Sequence, residues 1–272
     1  MAQFIYQLTE WPNFTWQSEN ILFPLGKARN LQGKLMSKME ALGFVLRGEA
    51  MLETLTVDAV KSAEIEGEIL PVDEVRSSIA RRLGIDISRL LPSDLHVDGM
   101  VEMLLDATQQ FNKALTTERL FNWQAALFPT GRSGLYKIEV GKWRTDKTGP
   151  MQVISGPMAK EKIHFQAPDA STVRKEMSVF MKWFNKEDTL DPVLKAAIAH
   201  FWFVTIHPFD DGNGRIARAI TDMQLAKADG SAQRFYSMSA QIRKERKMYY
   251  KILEKIQSGN LDISEWILWF IE

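Results

Sequence analysis

The sequence predicts an all-α bundle with one small β-hairpin, preceded by a helical N-terminal region. Three observations carry this. Residues such as Leu194, Ile198, Phe201, Trp202 and Thr205 recur at helical spacing, and similar stripes fill most of the chain. One pair of short strand-like runs stands out, Met151-Gln152-Val153-Ile154-Ser155-Gly156 and Lys162-Ile163-His164-Phe165, with Gly156-Pro157 turn chemistry between them. Apolar content is 45% over 272 residues, ample for a core in one large domain or two small ones.

Composition excludes several classes. Lys+Arg and Asp+Glu both number 34, so the formal net charge is zero, which argues against a protein that coats nucleic acid. No cysteine is present, which rules out disulfides, thiolate zinc sites and a cysteine nucleophile. The first ten residues lack a basic stretch followed by an apolar core, and no apolar run is long enough to span a bilayer. A soluble cytoplasmic protein is expected, with no repeats and no low-complexity tract.

Residues 1–24 mix Trp11-Pro12, Trp16 and Pro24 with polar residues and read as an aromatic-anchored extended segment, because exposed tails rarely carry two Trp. From Leu25 to about Val60 the pattern is helical, interrupted near Gly43 and Gly48. Ser62 and Glu66 share one helix face, and Gly67 is a natural C-cap. Arg81 to Ser93 reads as a helix end and loop, so a boundary falls near residue 95, separating 1–95 from 96–272; His96 is a surface or capping residue.

A helix is expected from Val97 to Leu115 on the stripe Met100, Leu104, Phe111, and Thr117 caps the next, with Leu120, Trp123, Leu127 and Phe128 as its apolar face. Residues 131–150 are Gly-rich and basic. The hairpin follows, with His164 at its rim. Pro168-Asp169 opens a helix through Trp183-Phe184. Asp191 then caps a helix with Pro192 at its first position. His200 lies seven residues before His207 but lacks a third ligand at sensible spacing, so it reads as a buried, hydrogen-bonded histidine. The basic run Arg243–Lys247 reads as a solvated face, and Trp266–Ile271 as the apolar side of a last helix.

The chemistry concentrates in His207-Pro208-Phe209-Asp210-Asp211-Gly212-Asn213-Gly214-Arg215-Ile216-Ala217-Arg218. Pro208 ends the preceding helix. Gly212-Asn213-Gly214 favours positive φ and a concave nest of backbone N–H groups, and Ile216, Ala219, Ile220 and Met223 start a second helix at about Arg215. Helix N-termini bind phosphate. Arg215 and Arg218 share a face of the first turn, where the macrodipole disfavours cations unless an anion is expected. Asp211 is a hard oxygen ligand suited to Mg²⁺, and His207 is a base that is mostly neutral near pH 7. These parts suit transfer from a nucleoside polyphosphate to a hydroxyl.

This stretch resembles the signature of the Fic family, H-x-F-x-[DE]-G-N-G-R-x-x-R, at every fixed position. Ser62, Glu66 and Gly67 resemble the family's inhibitory motif [ST]-x-x-x-E-[GN], on a helix at about 58–67 upstream of the core, and Gly141-Lys142-Trp143-Arg144 resembles the entry to its flap. The resemblance is strong over 141–220 and looser from 60 to 271. It implies a Fic-type bundle and transfer of AMP from ATP to a Ser, Thr or Tyr of a target protein. His207 would be the base and Asp211 the Mg²⁺ ligand. Gly212, Asn213, Gly214, Arg215 and Arg218 would hold the nucleotide, with Tyr249 and Tyr250 near adenine, though core tyrosines are an equal reading. Where the pattern leads one to expect an Asn after that pair, Gln257 stands. Val153, Ile154, Ser155 and Gly156 would align the target, and Glu66 would restrain the enzyme through Arg218. Gly214, where kinase-like relatives carry Lys, favours nucleotidyl over phosphoryl transfer. Transfer of UMP or phosphocholine, and a largely inactive regulatory module, stay open, as does a homodimer.

Overall fold

Capping chemistry sets many of the helix boundaries. The computed structural model describes residues 4–147, 149–155, 162–187 and 189–272. A 3-10 turn at Ile5–Gln7 precedes α1 (Ser18–Glu40), α2 (Phe44–Ile65), α3 (Val72–Leu83), α4 (Leu95–Gln109) and α5 (Thr117–Leu127). Strands β1 (Arg132–Ser133), β2 (Tyr136–Lys137), β3 (Gln152–Ser155) and β4 (Lys162–Gln166) follow. Then come α6 (Ala170–Asn185), α7 (Pro192–Ile206), α8 (Asn213–Asp229), α9 (Met238–Lys244), α10 (Arg246–Gln257) and α11 (Ser264–Ile271). Asp94, Thr116, Asp169, Asp191 and Ser237 each accept a first-turn N–H, which stabilises such a helix by about 1 kcal/mol.

The helical bundle stands as expected, but several boundaries move. There are two antiparallel hairpins among the described residues, β1–β2 and β3–β4, not one. The first is too short to show alternation. Helix α1 begins at Ser18 and runs through Pro24, giving up one i→i−4 bond, so the extended segment ends at Gln17. Gly48 lies inside α2 and interrupts nothing; the break is at Ala41–Gly43. The helix expected to reach Leu115 stops at Gln109, and a turn closed by Lys113 N–H on the Gln110 carbonyl replaces its end. Thr116, not Thr117, caps α5, and α8 starts at Asn213, two residues early.

One apolar cluster runs from Ile5 to Phe270 and takes in both halves of the chain. Helix α7 forms its axis, with every residue from Val193 to Ile206 buried. The N-terminal segment is anchored to it as its tryptophans suggest: Trp11 meets Trp202 edge-on, and Phe14 meets Phe201. Helix α4 lies so near α5 that a Cβ on Gly99 would sit 1.8 Å from the Ala126 carbonyl oxygen, so only glycine fits. His200 is fully buried, as expected, bonded at 2.9 Å to both Thr221 Oγ1 and Tyr249 OH; burial pushes its pKa down to about 3. His96 is half-buried in the first turn of α4. Among the described residues no helix is long and apolar enough to cross a membrane.

Candidate active site

The base comes from the end of α7. His207 is its C-cap and the one non-glycine residue with positive φ among those described, at φ 52 and ψ 59, and its N–H donates to the Phe203 carbonyl. Such a conformation costs about 1 kcal/mol or more in a non-glycine residue, so the surroundings must hold it. Arg144 does: its Nε donates to the His207 carbonyl at 2.7 Å, and its own N–H donates to the Pro208 carbonyl at 3.0 Å. Its remaining nitrogens bind Asp146 and the Pro168 carbonyl, which ties the loop to the start of α6. His207 Nδ1 lies 3.2 Å from the Val204 carbonyl. With the proton assigned there, Nε2 keeps the free lone pair. Burial pushes the imidazole down to about 4, against the Val204 carbonyl and the nearby Asp211 and Glu66 carboxylates, so it is neutral at physiological pH.

The loop after His207 is braced from inside. Phe209 is fully buried against Trp143. Asn213 is buried, its Oδ1 accepting from Phe209 N–H at 2.9 Å and its Nδ2 donating to the Phe209 carbonyl at 2.7 Å. Its side chain therefore closes the turn. The nest is also simpler than expected: Gly212 alone has positive φ, 89°, while Asn213 and Gly214 are already helical. A Cβ on Gly214 would lie 2.1 Å from Glu66 Oε1, so glycine here leaves room for that flexible side chain to lie against α8. Helix geometry leaves the N–H groups at 213–215 without intrahelical acceptors.

Both arginines are buried. Arg218 donates from Nε to Ser62 Oγ (2.8 Å) and from Nη2 to the Ser62 carbonyl (2.9 Å) and Glu66 Oε1 (2.8 Å). Glu66 is the C-cap of α2 and Gly67 follows at φ 84, as the sequence suggests. Arg215 Nη1 donates to Glu68 Oε2 at 2.5 Å, and its guanidinium lies 4.8 Å over the Phe128 ring. Among the described residues Arg215 Nε and Arg218 Nη1 are buried without a partner, spare donors at the mouth of a helix N-terminus. The basic run is not wholly a solvated face: Arg246 Nε donates to the Ile65 carbonyl at 2.8 Å and Arg243 pairs with Glu64, so both hold the end of α2.

Asp211 Oδ1 accepts from Gly212 N–H, and Oδ2 from Ser133 Oγ on the unforeseen hairpin. Asp210 faces elsewhere, accepting from Glu139 N–H at 2.9 Å. A carboxylate held only by a backbone N–H and a hydroxyl, beside the free N–H groups of a helix N-terminus, fits Mg²⁺, which is commonly held by one or two carboxylates and by phosphates. Tyr249 is buried between His200 and Arg218, and Tyr250 is half-buried with Arg246 over its ring at 5.2 Å; burial raises both pKa values. Gln257 is buried on Thr205 Oγ1.

Strand β3 pairs Val153 with Phe165 and Ile154 with Ile163 across a bulge, and Ser155 with Lys162. Gly156 lies outside the described residues. Glu254 of α10 holds Lys162 and His164 of β4, so His164 is a half-buried anchor. Sequence reasoning missed Ser133, Glu68, Phe128 and the role of Arg144. Only Arg144 stood in a quoted motif; nothing in spacing links the others to the loop.

Fold and site thus define a mainly helical protein with a neutral histidine next to a helix N-terminus that carries two buried arginines. Residues 114–225 match the Fic/DOC family, and residues 4–85 match a domain of unknown function, DUF4172. The chain carries a Fic/DOC family domain. Protein adenylyltransferase Fic of Drosophila erecta is 25% identical over 238 residues, covering 84% of this chain and 43% of the relative. The chain thus spans less than half the length of that relative. Two solved structures share the fold: a Fic family protein from Desulfovibrio desulfuricans (TM-score 0.68, 21% identity, 96% of this chain and 73% of that one) and a Fic domain containing signaling protein from Bacteroides thetaiotaomicron (0.63, 20%, 90% of each).

Proposed function

We propose that the chain transfers AMP from ATP to a hydroxyl side chain of a protein, and that Glu66 holds it slow. The observation that carries the reading is the juxtaposition of a neutral His207 with the N-terminal end of α8, where Arg215 and Arg218 offer buried guanidiniums. Relatives named protein adenylyltransferase support it. His207 Nε2 takes the proton from the target Ser, Thr or Tyr; the hydroxyl oxygen bonds to the α-phosphorus and pyrophosphate leaves. The α8 N–H groups and both arginines stabilise the phosphate charge. Asp211 would hold Mg²⁺, which neutralises phosphate charge when bound. The outer edge of β3, Val153 to Ser155, gives a target segment main-chain partners. On this reading 96–272 acts as the catalytic core and 1–95 as the region that restrains it.

The restraint has a physical basis. Glu66 occupies an Arg218 donor that a phosphate needs, and its charge repels a triphosphate. A phosphate displaced by about an ångström loses roughly a hundredfold in rate. The test is labelling of lysate by wild type and Glu66→Gly with ATP labelled in the α- or the γ-phosphate, beside UTP and CDP-choline. Label arriving from the α-position only, at least tenfold faster in Glu66→Gly (about 1.4 kcal/mol of barrier), is expected. Preference for UTP or CDP-choline moves the chemistry to another group; no transfer by either protein leaves a regulatory module.

A further inference from the structure

The segment that carries Glu66 carries a second carboxylate, and it takes the other arginine. Helix α2 ends in a Schellman motif: Glu68 N–H donates to the Ala63 carbonyl and Gly67 N–H to the Glu64 carbonyl, both at 3.1 Å, around Gly67 at φ 84. That motif fixes where residue 68 sits as firmly as where residue 66 does. Glu66 meets Arg218 and Glu68 meets Arg215, three residues apart on one face of α8. We propose that Glu68 is a second plug of the anion site, so a nucleotide must displace two carboxylates from two arginines.

Arg215 does not need Glu68 to be positioned. Its guanidinium rests on the Phe128 ring and its side chain is 7% exposed, whereas that of Glu68 is 34% exposed. The arginine is thus preorganised and the carboxylate is the removable partner. A bond from a nearly buried guanidinium to a carboxylate on a glycine hinge is a contact that a phosphate, with more charge and more acceptors, replaces directly. The arrangement also predicts that loss of Glu66 alone leaves part of the restraint in place. The inference uses the adenylyltransferase reading only to name the anion as a nucleoside triphosphate.

The test is calorimetric titration of the full chain with Mg²⁺–ATP and with inorganic tripolyphosphate, for wild type, Glu68→Gln, Glu66→Gly, the double variant, and Glu68→Gln in an Arg215→Gln background. Gln keeps the shape of an exposed side chain, so folding is preserved. Glu68→Gln should tighten Kd about three- to tenfold, alone and on top of Glu66→Gly, and should change nothing once Arg215 is Gln. Unchanged Kd for both ligands, or the same tightening without Arg215, overturns the plug. The same proteins are assayed for transfer of α-labelled AMP. Tightening without transfer by any variant keeps the plug and removes the AMP reading. Transfer by Glu66→Gly with no effect of Glu68→Gln on binding or rate does the reverse.

Discussion

Two segments meet at the start of α8 and are built differently. The loop 207–218 is braced by buried groups: Arg144 on the His207 carbonyl, Asn213 on both sides of Phe209, and Phe209 in an aromatic cluster. The segment 62–68 touches it through Ser62 and two carboxylates that are each about a third exposed. Mutual bracing suits a site whose reacting groups must not move, since reorganisation at the moment of reaction costs rate. A few charge-assisted contacts next to a glycine hinge suit a part that must leave, because solvent compensates the released groups. Arg246 and Arg243 hold the last turn of α2, just before Gly67, so withdrawal at Gly67 need not unpack the helix.

Substitutions on either side sharpen this contrast. The largest effect should come from the braced side. His207→Ala should lower transfer by about 10² to 10⁴-fold with ATP binding intact, as measured by α-labelled transfer and calorimetry. The sign of the pH dependence follows from the same group. Its pKa lies below the free value, near 4, so the base stays neutral and kcat/KM stays level as pH falls through 6.5, declining only toward 4. An acid limb at 6.5 would contradict the burial argument.

Next is Asn213→Ala, which leaves the Phe209 N–H and carbonyl buried and unpaired. A loss of about 1–3 kcal/mol of stability is expected, read as a lower denaturation midpoint at constant slope. If stability is unchanged, Asn213 is a ligand group and not a brace. Asp211→Ala should abolish the enhancement of ATP binding by Mg²⁺ in calorimetry; equal enhancement in both proteins would show that the metal is held elsewhere. The smallest effect belongs to the releasable side. Ser62→Ala leaves buried Arg218 Nε without its partner while the Ser62 carbonyl keeps Nη2, so transfer should rise only about two- to fivefold, with a smaller fall in the denaturation midpoint than for Asn213→Ala, which strands two groups. A loss as large as that of Asn213→Ala would mean that the Ser62 bond holds the end of α2 in place and does not restrain Arg218.

Much of this was legible in sequence because it rests on local rules. The caps at Asp169 and Asp191, the Pro208 stop, the Gly67 turn and the burial of His200 follow from residue type and spacing along one stretch of chain. The hairpin β3–β4 was legible for the same reason, and β1–β2 was not, since two-residue strands carry no period. Helix ends without strong caps, at Gln109 and at Ser18, shifted by several residues because packing decided them.

What the sequence by itself determined is the identity and order of the chemical groups: a histidine after a helix, a glycine turn opening the next helix, two arginines three apart near its start. Their roles were decided by tertiary structure. The Asn213 side chain became a brace of the turn, Gly214 became room for a carboxylate instead of a source of positive φ, and Glu68, 147 positions from Arg215, became its partner. The physical reason is range. Backbone preference and helix period act over a few residues, whereas a buried guanidinium takes whichever carboxylate the packing of α2 on α8 brings within hydrogen-bond distance.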